Sequence, residues 1–301
     1  MRPEIATPGS YGTPPNGARL PDATRLGGVV LQVADLARSL AYYEQVLGLR
    51  AQSRTGSEAV LTAHGDARPL VALRERKGAP PHTPRGRLGL FHFAILLPDR
   101  PSLGRFVRHL ASIGVHAGAG DHLVSEAFYL TDPDGLGIEI YADRPRSTWM
   151  RRGRELAMAS DPVDVDSLLR EAGDSPWTGM PSGTVMGHVH LHVGDLERTR
   201  AFYGEALGMD VMVSSYPSAL FLAAGGYHHH LGGNLWAGPG AVPPNADEAQ
   251  LLEWTIHLPD AAAIAEVQAR MASAGHASVK EGETLLVRDP WETPVRIELA
   301  R

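Results

Sequence analysis

The apolar run 29–33 gives way at Asp35 to a stripe in which Leu36, Leu40, Tyr43 and Leu47 fall at i, i+4, i+7 and i+11. That spacing is one face of a 3.6-residue period. It predicts a strand, an Asp that caps a helix N-terminus, an amphipathic helix, and Gly48 as the terminator. The pattern returns 160 residues later in the run 189–193, with Asp195 as the cap, Phe202 and Tyr203 in the helix, and Gly208 after it. Two weaker copies start at Phe91 and at Leu252. The first has its cap at Asp99 and a stripe of Leu103, Phe106, Val107 and Leu110; the second has its cap at Asp260 and an Ala-rich helix over 261–273. Each copy continues through short strands separated by Gly-, Pro- and Asp-rich turns. The chain therefore reads as strand, helix and about three strands, four times over.

Length and punctuation divide this repeat. The 301 residues suggest about two domains. The divisions expected are a Pro- and Gly-rich, loose N-terminal arm over 1–24, modules 1 and 2 over 25–145, a linker over 146–183 and modules 3 and 4 over 184–301. A short helix is expected near 163–172 of the linker. With no cysteine, the chain has no disulfide, thiolate metal site or Cys nucleophile. A net charge of −6 with scattered Lys and Arg argues against nucleic acid as a partner. No apolar run approaches the roughly 18 residues of a membrane span, and no leader is expected, so the reading is a cytoplasmic protein.

The chemistry concentrates between Gly120 and Glu139. Asp132-Pro133-Asp134-Gly135 is a turn signal, because Pro presets φ and Gly accepts positive φ. The flanking strands, 126–131 and 137–142, become antiparallel neighbours that bring Tyr129 and Glu139 onto one surface, with His122 upstream. The repeat also aligns the modules on one another. Seven residues before each capping Asp stand Gly28, His92, His188 and Glu253, and on the last strand Glu139 of module 2 corresponds to Arg296 of module 4. Modules 1 and 4 thus offer Gly28, Glu253 and Arg296, a poor divalent site. Modules 2 and 3 offer His92, Glu139 and His188, two imidazoles and a carboxylate of the kind that suits Fe(II) with open positions.

The fourfold βαβββ order resembles the vicinal oxygen chelate superfamily, an α+β fold whose modules pair into cupped mixed sheets around a metal. The segment from His122 through Tyr129 to Glu139 resembles the signature of the extradiol ring-cleavage dioxygenases, and the whole is most similar to two-domain bacterial catechol 2,3-dioxygenases. The resemblance implies a metal, Fe(II) or alternatively Mn(II), on His92, Glu139 and His188. It also implies Tyr129 and His122 handling substrate and oxygen, and a histidine of the triplet His228-His229-His230 as acid–base. Alternation puts His228 and His230 on one face and His229 on the other; register against the family pattern favours His230, with His228 next. The implied partners are a catechol-type substrate and O2, and a homo-oligomer is compatible with the pattern. The ligands converge only if module 2 pairs with module 3, within one chain or between chains. His190 and His192 share the strand face of His188 as outer-sphere donors or bystanders, and Trp236, Phe91 and Phe93 read as core packing. Two other activities use the same fold. A glyoxalase-like isomerase wants a fourth ligand on the last strand of module 3, where 231–236 has no carboxylate. A metal-free binding protein of the antibiotic-sequestering kind has no need of the triad.

Overall fold

The computed structural model describes residues 2–300. Module 1 runs as strand Arg25–Val33, helix Leu36–Gln45 and strands Arg50–Arg54, Glu58–Thr62 and Pro69–Glu75. Module 2 repeats this with Gly89–Leu96, helix Arg100–Ser112, Gly118–Asp121, Ser125–Thr131 and Gly137–Asp143. Module 3 has Val185–His192, a helical segment from Leu196 to Ala206, then Asp210–Val213, Ala219–Ala223 and Leu231–Asn234. Module 4 has Gln250–Leu258, helix Ala261–Ser273, Ser278–Glu281, Thr284–Arg288 and Pro294–Leu299. Asp35, Asp99, Asp195 and Asp260 each accept the backbone N–H three residues on, the bond an N-cap supplies to an otherwise orphaned donor. Gly48 and Gly208 end their helices at φ +74° and +99°, which a β-carbon would strain. One helix departs from the expected winding. Arg200–Ala206 is a π-helix in which Phe202 and Tyr203 are both buried, where of the matching pair Tyr42 and Tyr43 in the α-helical copy only Tyr43 is.

Eight strands form each of two sheets, and each sheet draws on both halves of the chain. The lead strand of module 2 pairs antiparallel with that of module 3, and the lead strand of module 1 with that of module 4. Within each module the last strand lies parallel beside the lead strand. The division at 25–145 and 184–301 thus follows the repeat along the chain, while the sheets cross it. Apolar residues of one strand face (Val29, Leu31, Phe93, Ile95, Val189, Leu191, Trp254 and Ile256) join the helix stripes in one cluster that spans all four modules. The opposite faces line the two cups.

The arm and the linker are not loose connectors. Glu4–Ile5 pairs with Met150–Arg152, which pairs with Glu155–Leu156, to make a third small sheet. Thr13 bridges to Val211, and Tyr11 and Leu20 are buried. Their apolar side chains find a surface on module 3 that Pro and Gly content does not reveal. The linker helix is Val165–Glu171, inside the expected span.

The Asp-Pro turns tie the sheets together. Asp132 Oδ1 accepts the backbone N–H groups of Asp134 and Leu136, and Oδ2 accepts the Tyr43 hydroxyl at 3.1 Å. Module 4 repeats this with Asp289 and the Tyr203 hydroxyl at 3.0 Å. Burial pushes the Asp132 carboxyl up from 3.8 to about 6, against the hydrogen bonds it accepts. Because the folded value lies above the unfolded one, protonation of Asp132 favours the folded state. That contribution is complete below about 3.8 and is lost as pH rises through about 6. Asp132→Asn keeps an acceptor oxygen but does not titrate. We expect the wild type to lose up to about 3 kcal/mol of stability relative to this variant between about pH 4 and pH 7.5. Urea unfolding of both proteins across that range measures it, and parallel profiles would refute it.

Candidate metal centre

His92 and His188 reach one point because the lead strands of modules 2 and 3 run antiparallel down the middle of one sheet. Glu139 arrives from the parallel last strand of module 2, where it pairs with Ala94, and Tyr129 stands directly opposite it on the neighbouring strand. His92 Nε2 and His188 Nε2 are 3.3 Å apart, and Glu139 Oε2 lies 3.0 and 3.2 Å from them. All three side chains are buried. Three lone-pair-bearing atoms thus crowd one spot with too few protons to bridge them. Metal bonds of about 2.1 Å at right angles place adjacent donors about 3 Å apart, so the set matches one face of a coordination sphere. Burial alone would raise the Glu139 carboxyl, but the two histidines outweigh it and hold it well below the usual carboxylate range. Burial lowers His188 to about 4. A carboxylate with a neutral imidazole is the ligating form.

In the other cup the equivalent positions are closed. Arg296 grips Glu253 through Nε at 2.5 Å and one terminal nitrogen at 3.0 Å, and Gly28, at the third equivalent position, brings no ligand. The ion pair occupies the place of a metal.

A cavity of about 250 Å³ opens onto the three ligand groups. His122 and Tyr129 stand on one wall, the histidine Nε2 accepting the tyrosine hydroxyl. His122 Nδ1 donates to the Ala159 carbonyl at 2.7 Å, which fixes the tautomer and brings Met158, Ala159 and Ser160 of the linker into the wall. Burial and the Glu139 charge push Tyr129 well above its usual value, so it stays a neutral donor.

The histidine triplet departs from the expected register. His229 faces the cavity, with its ring centroid 4.0 Å from that of His188. His230, expected as the acid–base, lines a different cavity with Arg25 and Arg146 and accepts the Ala224 N–H at 3.2 Å; His228 is fully buried. The reason is local. Gly225 and Gly226 both take positive φ in a tight turn closed by the Tyr227 N–H on the Ala224 carbonyl, and the strand begins only at Leu231, so 227–230 is irregular backbone to which alternation does not apply. Burial and neighbouring histidines, His188 first among them, hold His229 well below its ordinary value, as a neutral imidazole.

Phe91 and Trp236 are also corrected: both line the cavity, while Phe93 is core. A bulge skips Phe91 in the pairing of His190 with His92 and Leu191 with Leu90, so Phe91 turns into the cup beside His92. His190 lines the same cavity, and His192 bonds the Asn234 side chain at 2.7 Å. The linker wall, the bulge and His229 are the residues that sequence reasoning missed. A third histidine in the triplet was the only signal for any of them.

Paired βαβββ modules, and a cup in which two imidazoles and a carboxylate are placed so that they could hold a metal, define a protein of the glyoxalase kind. The family model "Glyoxalase/Bleomycin resistance protein/Dioxygenase superfamily" matches residues 25–140 and 185–287, and the chain belongs to that superfamily. It is 45% identical over 270 residues to catechol-2,3-dioxygenase of Bacillus subtilis (strain 168), covering 89% of this chain and 94% of that one. With that kinship it is an enzyme of the extradiol dioxygenase branch. Among solved structures, glyoxalase I from Zea mays shares the fold at 18% identity, covering 91% of this chain and 92% of that one, with a TM-score of 0.51. A mutant of the same maize enzyme gives a TM-score of 0.53 at 20% identity over 91% and 92% of the two chains.

Proposed function

We propose that this chain cleaves a catechol-type ring with dioxygen beside its two hydroxyl carbons, using Fe(II) held by His92, Glu139 and His188. The observation that carries this reading is the convergence of those three donors at 3.0–3.3 Å on the floor of an aromatic-walled cavity. Bound Fe(II) supplies Lewis acidity and one-electron chemistry for the reaction of a catechol with dioxygen. The protein's own groups do the rest. Phe91, Phe221, Tyr216 and Trp236 wall a space for a single aromatic ring and exclude water from it. His229, neutral and facing the cavity, takes a hydroxyl proton from the substrate and returns it later. When substrate binds, Tyr129 turns its one hydroxyl proton from His122 Nε2 to a substrate oxygen, while His122 is kept in place by its own bond to Ala159. Mn(II) in place of iron is an outcome that metal analysis would reveal.

The test is anaerobic purification, metal quantification and oxygen uptake with simple catechols. One iron per chain with oxygen consumption and a yellow ring-fission product is expected. A metal-free protein that binds catechols without oxygen uptake would overturn the reading.

A further inference from the structure

We propose that Asp143 and His228 form a positioning pair that sets the tautomer of His229; this rests on the reading of His229 as the acid–base of a dioxygenase. Three side chains make a line from the metal cavity to a second cavity. His229 Nδ1 and His228 Nδ1 are 2.7 Å apart, and His228 Nε2 is 2.9 Å from Asp143 Oδ1. The His228 side chain is fully buried, and that of Asp143 is 28% exposed, at the edge of the second cavity of about 240 Å³. Asp143 lies at the end of the strand that carries Glu139, so the same element aims the metal carboxylate and anchors the line.

The polarity of the line follows from what each group can do. A carboxylate only accepts, so His228 Nε2 carries a proton and donates it to Asp143. In the neutral ring His228 Nδ1 is then an acceptor, and the proton between the two Nδ1 atoms belongs to His229. That leaves the lone pair of His229 on Nε2, which has no hydrogen-bond partner among the described residues while its ring lines the cavity. Tyr227 reinforces the anchor by donating its hydroxyl to the same Asp143 oxygen at 3.2 Å, and the Tyr141 hydroxyl lies 2.7 Å from that of Tyr227. An aspartate thus acts through one histidine on the next, and a base-competent nitrogen faces the substrate before it arrives. The opposite arrangement, with both nitrogens of His228 protonated, would put the proton on His229 Nε2 and leave no base in the cavity.

The experiment uses ¹⁵N-imidazole NMR of the protein loaded with Zn(II), which is diamagnetic, with His229 assigned by difference from His229→Phe. His229 is expected protonated at Nδ1 and bare at Nε2 in the wild type, and mixed in Asp143→Leu. With iron, Asp143→Leu should keep its metal and its KM for catechol while kcat falls by about 10²-fold. Asp143→Asn, whose amide oxygen still accepts from His228, should restore most of the rate. An Nε2-protonated His229 in the wild type, or Asp143→Leu with unchanged kcat, overturns the proposal. Should Asp143→Leu fail to fold, the wild-type spectrum alone decides. A wild type that loads iron yet consumes no oxygen with catechols would sink the dioxygenase reading, and the spectrum would still report the tautomer.

Discussion

Replacing Glu139 with Ala should remove iron binding and oxygen uptake together, the largest effect expected from any single change here. The wild type should hold one iron per chain. The physical reason is the economy of the site: among the described residues, three groups are placed to hold a metal, and Glu139 is the one that brings negative charge. Without it, two neutral imidazoles would face a dication in a buried cup, and the coordination face would lose a third of its donors. The protein itself should survive. The carboxylate is buried against histidines and not in the apolar cluster. Thermal unfolding separates folding from binding. Chelation should lower the melting temperature of the wild type, since a ligand at about 1,000 times its dissociation constant adds about 4 kcal/mol of stability, and should leave Glu139→Ala unchanged. His92→Ala and His188→Ala should behave alike. Iron retained in Glu139→Ala would defeat the ligand assignment. So would a second stoichiometric iron, because the Glu253–Arg296 ion pair fills the matching place in the other cup.

Changing His229 to Phe should keep the iron and slow turnover by about 10²–10⁴-fold, the range that positioned acid–base assistance is worth. Phe preserves the ring that packs beside His188 and Phe221, with centroids 4.0 and 4.9 Å away, so the metal ligands should hold their place. The loss should fall on kcat with little change in KM, because on the proposed reading catechol would be held by the metal and the aromatic walls, whereas the proton transfer is made only on the way to reaction. His230→Phe gives the contrast. His230 lines the cavity shared with Arg25 and Arg146 and not the one that the ligand groups line, and His230→Phe should turn over near the wild-type rate. Steady-state kinetics with metal content measured on each variant decides between them. Iron loss in His229→Phe would make it a ligand, and normal turnover would return the role to another residue of the triplet.

Much of this protein is legible along the chain because the governing physics is local. The capping Asp, the apolar stripe and the terminal Gly define each helix within a dozen residues, and four repetitions let the copies be aligned on one another. The Asp132-Pro133-Asp134-Gly135 turn sets Tyr129 opposite Glu139, since a tight turn leaves an antiparallel pair little choice of register. Residue type then narrows the chemistry, and His92, His188 and Glu139 could be named from their places in the repeat together with the superfamily resemblance.

What only the tertiary structure decided is where non-local pairing or a local irregularity takes over. The ligand positions call for module 2 to pair with module 3, but only the sheets show that they do so within one chain, with module 1 joined to module 4. A one-residue bulge turned Phe91 from the core into the cup, because strand alternation survives only as long as the ladder is regular. The Gly225-Gly226 turn and the irregular backbone after it broke the same rule and put His229, not His230, in the cavity. The arm and the linker looked like connectors because their composition is that of loops. Their folded form depends on surfaces built by residues tens to hundreds of positions away, and no pattern within either segment encodes such a surface.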